Sequence, residues 1–139
     1  MKKIILLLVV TPLFLVAAVR DLNIAGFEKL KNHGIPVIDI RTPQEWKETG
    51  IIRGSHTITF FRPDGSYDLD AFLADLKRLG VDSKEKPFIL VCRSASRTRT
   101  LGNFLSEKVG YKNVFHLSGG ILNWKTHGKP LVPYKPSQR

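Results

Sequence analysis

Cysteine is nearly absent from this chain, with Cys92 the one example among 139 residues. A single cysteine excludes an internal disulfide framework, a resolving thiol within the chain and any cysteine-based metal site. The four histidines, His33, His56, His116 and His127, are scattered without ligand spacing. No metal centre is therefore expected, and each histidine reads as structural or surface. Acidic residues are scarce as well: 12 Asp and Glu stand against 22 Lys and Arg, for a formal net charge of +10. Such an excess can serve nucleic acid, an anionic membrane surface or small anionic substrates. No Lys/Arg block interleaved with aromatics is present, so nucleic acid is not an expected partner. Solvated basic faces account for most of the charge, and only the arginines near Cys92 call for more.

Long hydrophobic runs are confined to one place. Lys2-Lys3 precede an apolar stretch from Ile4 to Val16, interrupted by Thr11 and Pro12 and followed by Ala17-Ala18. A charged start, an apolar middle and a small-residue end are the order of an export signal. Residues 1–18 are thus expected to be a signal peptide cut after Ala18, which lowers the formal charge to +8. The run is short and interrupted for a spanning helix. The expectation is an exported, periplasmic protein with no stable membrane insertion after cleavage; an uncleaved anchor is the alternative. Residues 19–130 would form one domain and residues 131–139 an extended tail, since Pro130, Pro133 and Pro136 cannot continue a helix.

Strand and helix signals alternate along those residues. Asn23 caps a helix with Ile24, Phe27 and Leu30 on one face, ending at Gly34. Pro36 to Ile40 is a short buried strand, and Thr42-Pro43-Gln44-Glu45 opens a helix with a capping box. A second short strand is expected around Ser55 to Phe60, and Arg62 to Ser66 is loop. Leu69, Phe72, Leu73, Leu76 and Leu79 repeat at helical spacing before Gly80. Pro87 to Val91 is the clearest strand. The helix after it presents Leu101, Phe104, Leu105 and Val109 as its apolar face and stops at Gly110. Asn113 to Leu117 is a last strand, and Ser118-Gly119-Gly120 turns into a helix containing Ile121, Leu122 and Trp124. Alternation of this kind predicts an α/β fold with a parallel central sheet and helices on both faces.

Cys92 falls at the carboxyl end of the clearest strand, where open α/β sheets place their ligands. Arg93-Ser94-Ala95-Ser96-Arg97-Thr98 then leads into a helix. Unpaired amides of a tight loop and the helix dipole together make an anion cradle. The dipole, Arg93 and Arg97 favour the thiolate, which is the nucleophilic form. The bland alternative is that Cys92 is a small apolar residue ending a buried strand. Arg93, Arg97 and Arg99, with three hydroxyl residues among them, are a shell that an inert cysteine does not need.

Four motifs in order resemble the rhodanese homology family. Val37-Ile38-Asp39-Ile40-Arg41 with Glu45-Trp46 resembles its Asp-x-Arg strand signature and the Glu-aromatic pair that follows. Gly50-Ile51-Ile52-Arg53-Gly54-Ser55 is similar to its second signature, with Ile51 in place of the usual histidine. Cys92 to Thr98 resembles the active-site loop, and Leu117 to Trp124 the terminal motif. The resemblance implies that Cys92 is the nucleophile accepting sulfane sulfur. The backbone amides of Arg93, Ser94, Ala95, Ser96 and Arg97 would cradle the outer sulfur, Arg97 would stabilise the loop, and Thr98 could offer a hydroxyl. It implies no cofactor. Partners would be a small anionic sulfur donor such as thiosulfate and, as acceptor, cyanide, a thiol or an acceptor protein. Ala95 stands where the family commonly has glycine, and a positive φ there would strain it. Asp39 and Arg41 read as scaffold, Glu45 as a cap and Trp46 as core.

Two other functions fit the same residues. A phosphatase or arsenate reductase would need the longer Cys-x5-Arg loop, but that position holds Thr98 and the arginine comes one residue earlier. A sulfur carrier or partner-binding module would differ from an enzyme only in its acceptor step.

Overall fold

The computed structural model describes Lys3, residues 9–12 and residues 18–136. Most of the expected export signal, residues 1–18, lies outside the described residues, as do Ser137, Gln138 and Arg139 of the tail. No helix among the described residues is long and apolar enough to cross a membrane.

Five parallel strands form one sheet, in the order β1-β5-β4-β2-β3. They are β1 (Arg20–Leu22), β2 (Val37–Asp39), β3 (His56–Thr57), β4 (Phe88–Val91) and β5 (Val114–Leu117). The helices between and after them are α1 (Ile24–Asn32), α2 (Pro43–Thr49), α3 (Leu69–Arg78), α4 (Ser96–Phe104) and α5 (Gly120–Thr126). Strand alternation divides the core in two. Ile38, Phe88, Leu90 and Val114 face α3 and α4, packing on Phe72, Leu76, Leu101 and Leu105. Val37, Ile89, Val91 and Leu117 face the other way, onto Phe27 of α1 and Ile121 and Trp124 of α5. All four residues of β4 are buried, as a central parallel strand covered on both faces requires.

Local signals fix the helix ends. The Asn23 side chain accepts from Gly26 N–H and the Asp68 side chain from Ala71 N–H. At α2 the capping box is complete, with Thr42 accepting from Glu45 N–H while Glu45 accepts from Thr42 N–H at 2.9 Å. In the tail, Val132 and Ile51 exchange backbone hydrogen bonds at 2.8 and 2.9 Å in an isolated antiparallel bridge.

Three sequence expectations need correction. β1 was not foreseen, because three residues with two exposed side chains carry no strand pattern. The second short strand shrinks to His56–Thr57. Phe104 does not belong to the buried face of its helix: it is 38% exposed. The buried stripe runs through Thr98, Leu101, Gly102 and Leu105, and Phe104 lies roughly 100° around the helix from its centre. It lines a shallow apolar groove with Phe60, Phe61 and Tyr67 instead. Beyond Phe104 the helix widens into a π turn over Leu105–Val109, closed by Gly110 N–H donating to Leu105 C=O.

Candidate active site

The loop between β4 and α4 is held from below by α5. Ile121 N–H donates to the Cys92 carbonyl and Leu122 N–H to the Arg93 carbonyl, both at 3.0 Å. This approach requires Gly120, whose φ is +61° and whose missing Cβ would strike the Cys92 and Arg93 carbonyl oxygens. With their carbonyls turned toward α5, the two peptide groups leave the opposite side of the loop to N–H donors. Among the described residues, none of the backbone N–H groups from Arg93 to Thr98 donates to a protein acceptor. Six open amides at a helix N-terminus form a site for negative charge.

Ala95 makes the turn. Its φ of 72° and ψ of 1° are left-handed, and it is the only non-glycine residue with a positive φ among the described residues. The expected strain is therefore present: an L-residue held in this region costs about 1–2 kcal/mol. The loop keeps its bend in spite of the missing glycine.

The predicted residues divide by depth. Cys92, Ala95 and Thr98 are buried, Arg93, Ser94 and Ser96 stand exposed on the rim, and Arg97 is half-buried between them. Arg97 turns its guanidinium to Glu45 of α2, donating to both carboxylate oxygens at 2.7 and 2.9 Å. Those hydrogen bonds, with the Thr42 N–H, overcome partial burial and hold the Glu45 carboxyl down to about 2. Glu45 thus caps α2 and also orients the loop arginine, a second role that its sequence motif did not disclose. Asp39 and Arg41, read from the sequence as scaffold, sit in one hydrogen-bonded cluster. Both are buried, Arg41 donates to Asp39, Thr49 and Gly50, and Trp46 Nε1–H donates to Asp39 at 3.1 Å.

Below the cysteine lies a chain of polar groups of which only the Thr98 hydroxyl was expected. Cys92 Sγ is 3.5 Å from Thr98 Oγ1, and Thr98 Oγ1 is 2.8 Å from His116 Nδ1. His116 Nε2 is in turn 2.7 Å from Asp21 Oδ1, which also receives Arg99 Nη2–H at 3.1 Å. Sheet register builds the chain. Asp21 on β1 pairs with His116 on β5, and His116 pairs with Leu90, two residues before Cys92 on the same face. His116 is fully buried, so the surface or structural reading of this histidine gives only part of its place. Its signal was available, since a histidine inside the apolar strand Val-Phe-His-Leu must find polar partners. Burial pushes the His116 imidazolium below its ordinary range, while the Asp21 carboxylate pulls the other way and Arg99 adds to the lowering. Asp21 is held below the usual carboxylate range: slight burial opposes this, and the hydrogen bonds and charges of Arg99 and His116 prevail. Among the described residues no cluster of His, Cys, Asp and Glu could hold a metal ion.

Known proteins share this fold. A sulfurtransferase of Allochromatium vinosum is 32% identical over 96 residues, covering 69% of this chain and 77% of the relative. The thiosulfate sulfurtransferase GlpE of Coxiella burnetii is 25% identical over 105 residues, covering 76% of this chain and 85% of its own. The solution structure of the polysulfide-sulfur transferase homodimer from Wolinella succinogenes superposes with a TM-score of 0.60 at 26% identity. That match covers 87% of this chain and 83% of that one. The model of the rhodanese-like domain matches residues 25–127, from the first turn of α1 through the end of α5. With that span, the parallel sheet and the sulfurtransferases among its relatives, the chain belongs to the rhodanese-like domain family.

Proposed function

We propose that this protein is a sulfurtransferase that carries sulfane sulfur on Cys92, taking it from thiosulfate or a similar anionic donor. The observation that carries this reading is the only cysteine of the chain lying at the base of a loop whose six amides donate to no protein acceptor among the described residues. The Cys92 sulfur attacks the outer sulfur of thiosulfate, the donor's S–S bond breaks, and sulfite leaves with the electron pair. The amides of Arg93 to Arg97 stabilise the negative charge on the persulfide's outer sulfur without reorganising, which is how preorganised dipoles lower a barrier. An acceptor nucleophile, cyanide or a thiol, then attacks that outer sulfur and releases the Cys92 thiolate. With no second cysteine, the acceptor comes from outside the chain. The basic surface raises the encounter rate with anionic donors and loses that advantage at high salt.

Loop length favours sulfur over phosphate, because the arginine closes the loop at Arg97 and is engaged by Glu45. Export to the periplasm is part of the proposal: the signal-like pattern ends at Ala18, and Val19 is the first buried residue of the domain.

Turnover with thiosulfate and cyanide, followed as thiocyanate and sulfite, tests the reading. Wild type should form both products continuously and Cys92→Ser neither. One equivalent of sulfite without thiocyanate would mark a carrier awaiting a protein acceptor. Equal turnover by Cys92→Ser would overturn the proposal.

A further inference from the structure

We propose that Asp21, His116 and Thr98 form a proton relay to Cys92, taking the thiol proton as the sulfur attacks and returning it when the persulfide is discharged. The inference rests on Cys92 being the nucleophile, as proposed above; it gives the Thr98 hydroxyl a proton to carry and assigns roles to Asp21 and His116, which the sulfur chemistry does not otherwise use.

The hydrogen-bond inventory dictates the direction of the chain. Asp21 is a carboxylate and can only accept, so the proton between it and His116 belongs to Nε2. With His116 neutral, Nδ1 has no proton and accepts from the Thr98 hydroxyl at 2.8 Å. Thr98 has one proton to give. The Ala95 carbonyl, at 3.2 Å, is the more distant of its two fixed acceptors, so the hydroxyl proton points to His116. Toward Cys92 the Thr98 oxygen is then left as an acceptor, 3.5 Å from Sγ. The sequence S–H to O–H to Nδ1, with Nε2–H to carboxylate behind it, is aligned for transfer in one direction.

The step balances. The S–H bond of Cys92 breaks as an O–H bond forms on Thr98, and the original Thr98 proton passes to Nδ1. The products are a thiolate, already attacking sulfur, and an imidazolium paired with Asp21. When an acceptor removes the outer sulfur, the regenerated thiolate reclaims the proton along the same path. No group outside the chain is consumed. The charged groups facing His116 are Asp21 on β1 and Arg99 on α4, while β4 offers the apolar Leu90. Asp21 stabilises the imidazolium, and burial with Arg99 keeps it a transient holder of the proton. His116 and Asp21 act through Thr98, and so are positioning residues.

The test is the pH dependence of Cys92 alkylation by iodoacetamide, which requires no sulfur donor. Asp21→Asn is decisive because two effects have opposite signs. Removing a negative charge favours the thiolate through space, which would move the rate profile to lower pH. Loss of the relay moves it to higher pH. We expect Asp21→Asn and Thr98→Val to be displaced upward by about one pH unit, so that alkylation near neutral pH slows about tenfold. Thr98→Ser, which keeps the hydroxyl, should retain the wild-type profile. Long-range 1H–15N spectra of the wild type should show His116 protonated on Nε2 and bare on Nδ1. An Asp21→Asn profile that is unmoved or moved to lower pH, or the opposite tautomer, would overturn the relay. Asp21 is half-exposed, so this variant tests the proposal even where Thr98→Val does not fold. Sulfur loading from thiosulfate is measured separately by mass. Loading with unmoved profiles defeats the relay alone, and moved profiles without loading defeat the sulfur reading alone.

Discussion

Two aspartates at this end of the sheet anchor networks of different character. Asp39, under α2, receives hydrogen bonds from the Arg41 backbone, the Arg41 guanidinium and the Trp46 indole. The guanidinium is permanently charged, and it also donates to Thr49 and Gly50. A guanidinium does not give up its proton in a protein, so none passes along that set. Asp21, at the sheet edge, holds a histidine that can titrate and a threonine with one proton for more than one acceptor. The first network fixes the strand-to-helix corner on which the loop leans. The second, on the inner side of Cys92, has the spare acceptor capacity that chemistry requires. The presence of a histidine that can change its charge, rather than burial, separates scaffold from candidate machinery here.

Breaking the Asp39 network should cost most. Arg41→Ala leaves the buried Asp39 carboxylate without its partner, and unfolding by urea should show a loss of about 3–5 kcal/mol. Gly120→Ala attacks the support of the loop, adding backbone strain and a clash with the Cys92 and Arg93 carbonyls. It should lower stability by about 2–3 kcal/mol and reduce sulfur transfer beyond that, because the loop amides are re-aimed.

Glu45 joins the two sides, and its effect is smaller because the pair with Arg97 is partly exposed. The folded protein holds this carboxyl at about 2 against an ordinary value of 4.5. Its stabilisation is therefore complete above the ordinary value and is lost as pH falls toward the folded one. Glu45→Gln should flatten that acid limb and cost about 1 kcal/mol at neutral pH. Ala95→Gly should have the smallest effect. Relief of left-handed strain, partly offset by the added freedom of glycine in the unfolded chain, should stabilise the protein by up to about 1 kcal/mol. A destabilised Ala95→Gly would show that the loop's contacts, not its backbone, hold the bend.

Much of this architecture was legible because its signals are local. The capping box at Thr42 and Glu45, the buried run of β4 and the glycines before α5 each announce an element within a few residues. The site loop was legible for the same reason, since Cys92 and its arginines are contiguous and end a recognisable strand. What escaped depends on register. β1 is three residues long, and Asp21 meets His116 across 95 residues of sequence. Nothing near Asp21 says that β1 pairs with β5, so a histidine without neighbouring ligands looked isolated. Glu45 was recognised as a cap, but Arg97 lies 52 residues away and the contact is tertiary.

The most direct test of the central claim is the intact mass of the purified protein before and after thiosulfate, beside Cys92→Ser. The account predicts a gain of one sulfur on the wild type, removed by cyanide and absent from the variant. A folded wild type that gains no sulfur, or a variant that gains as much, would contradict it.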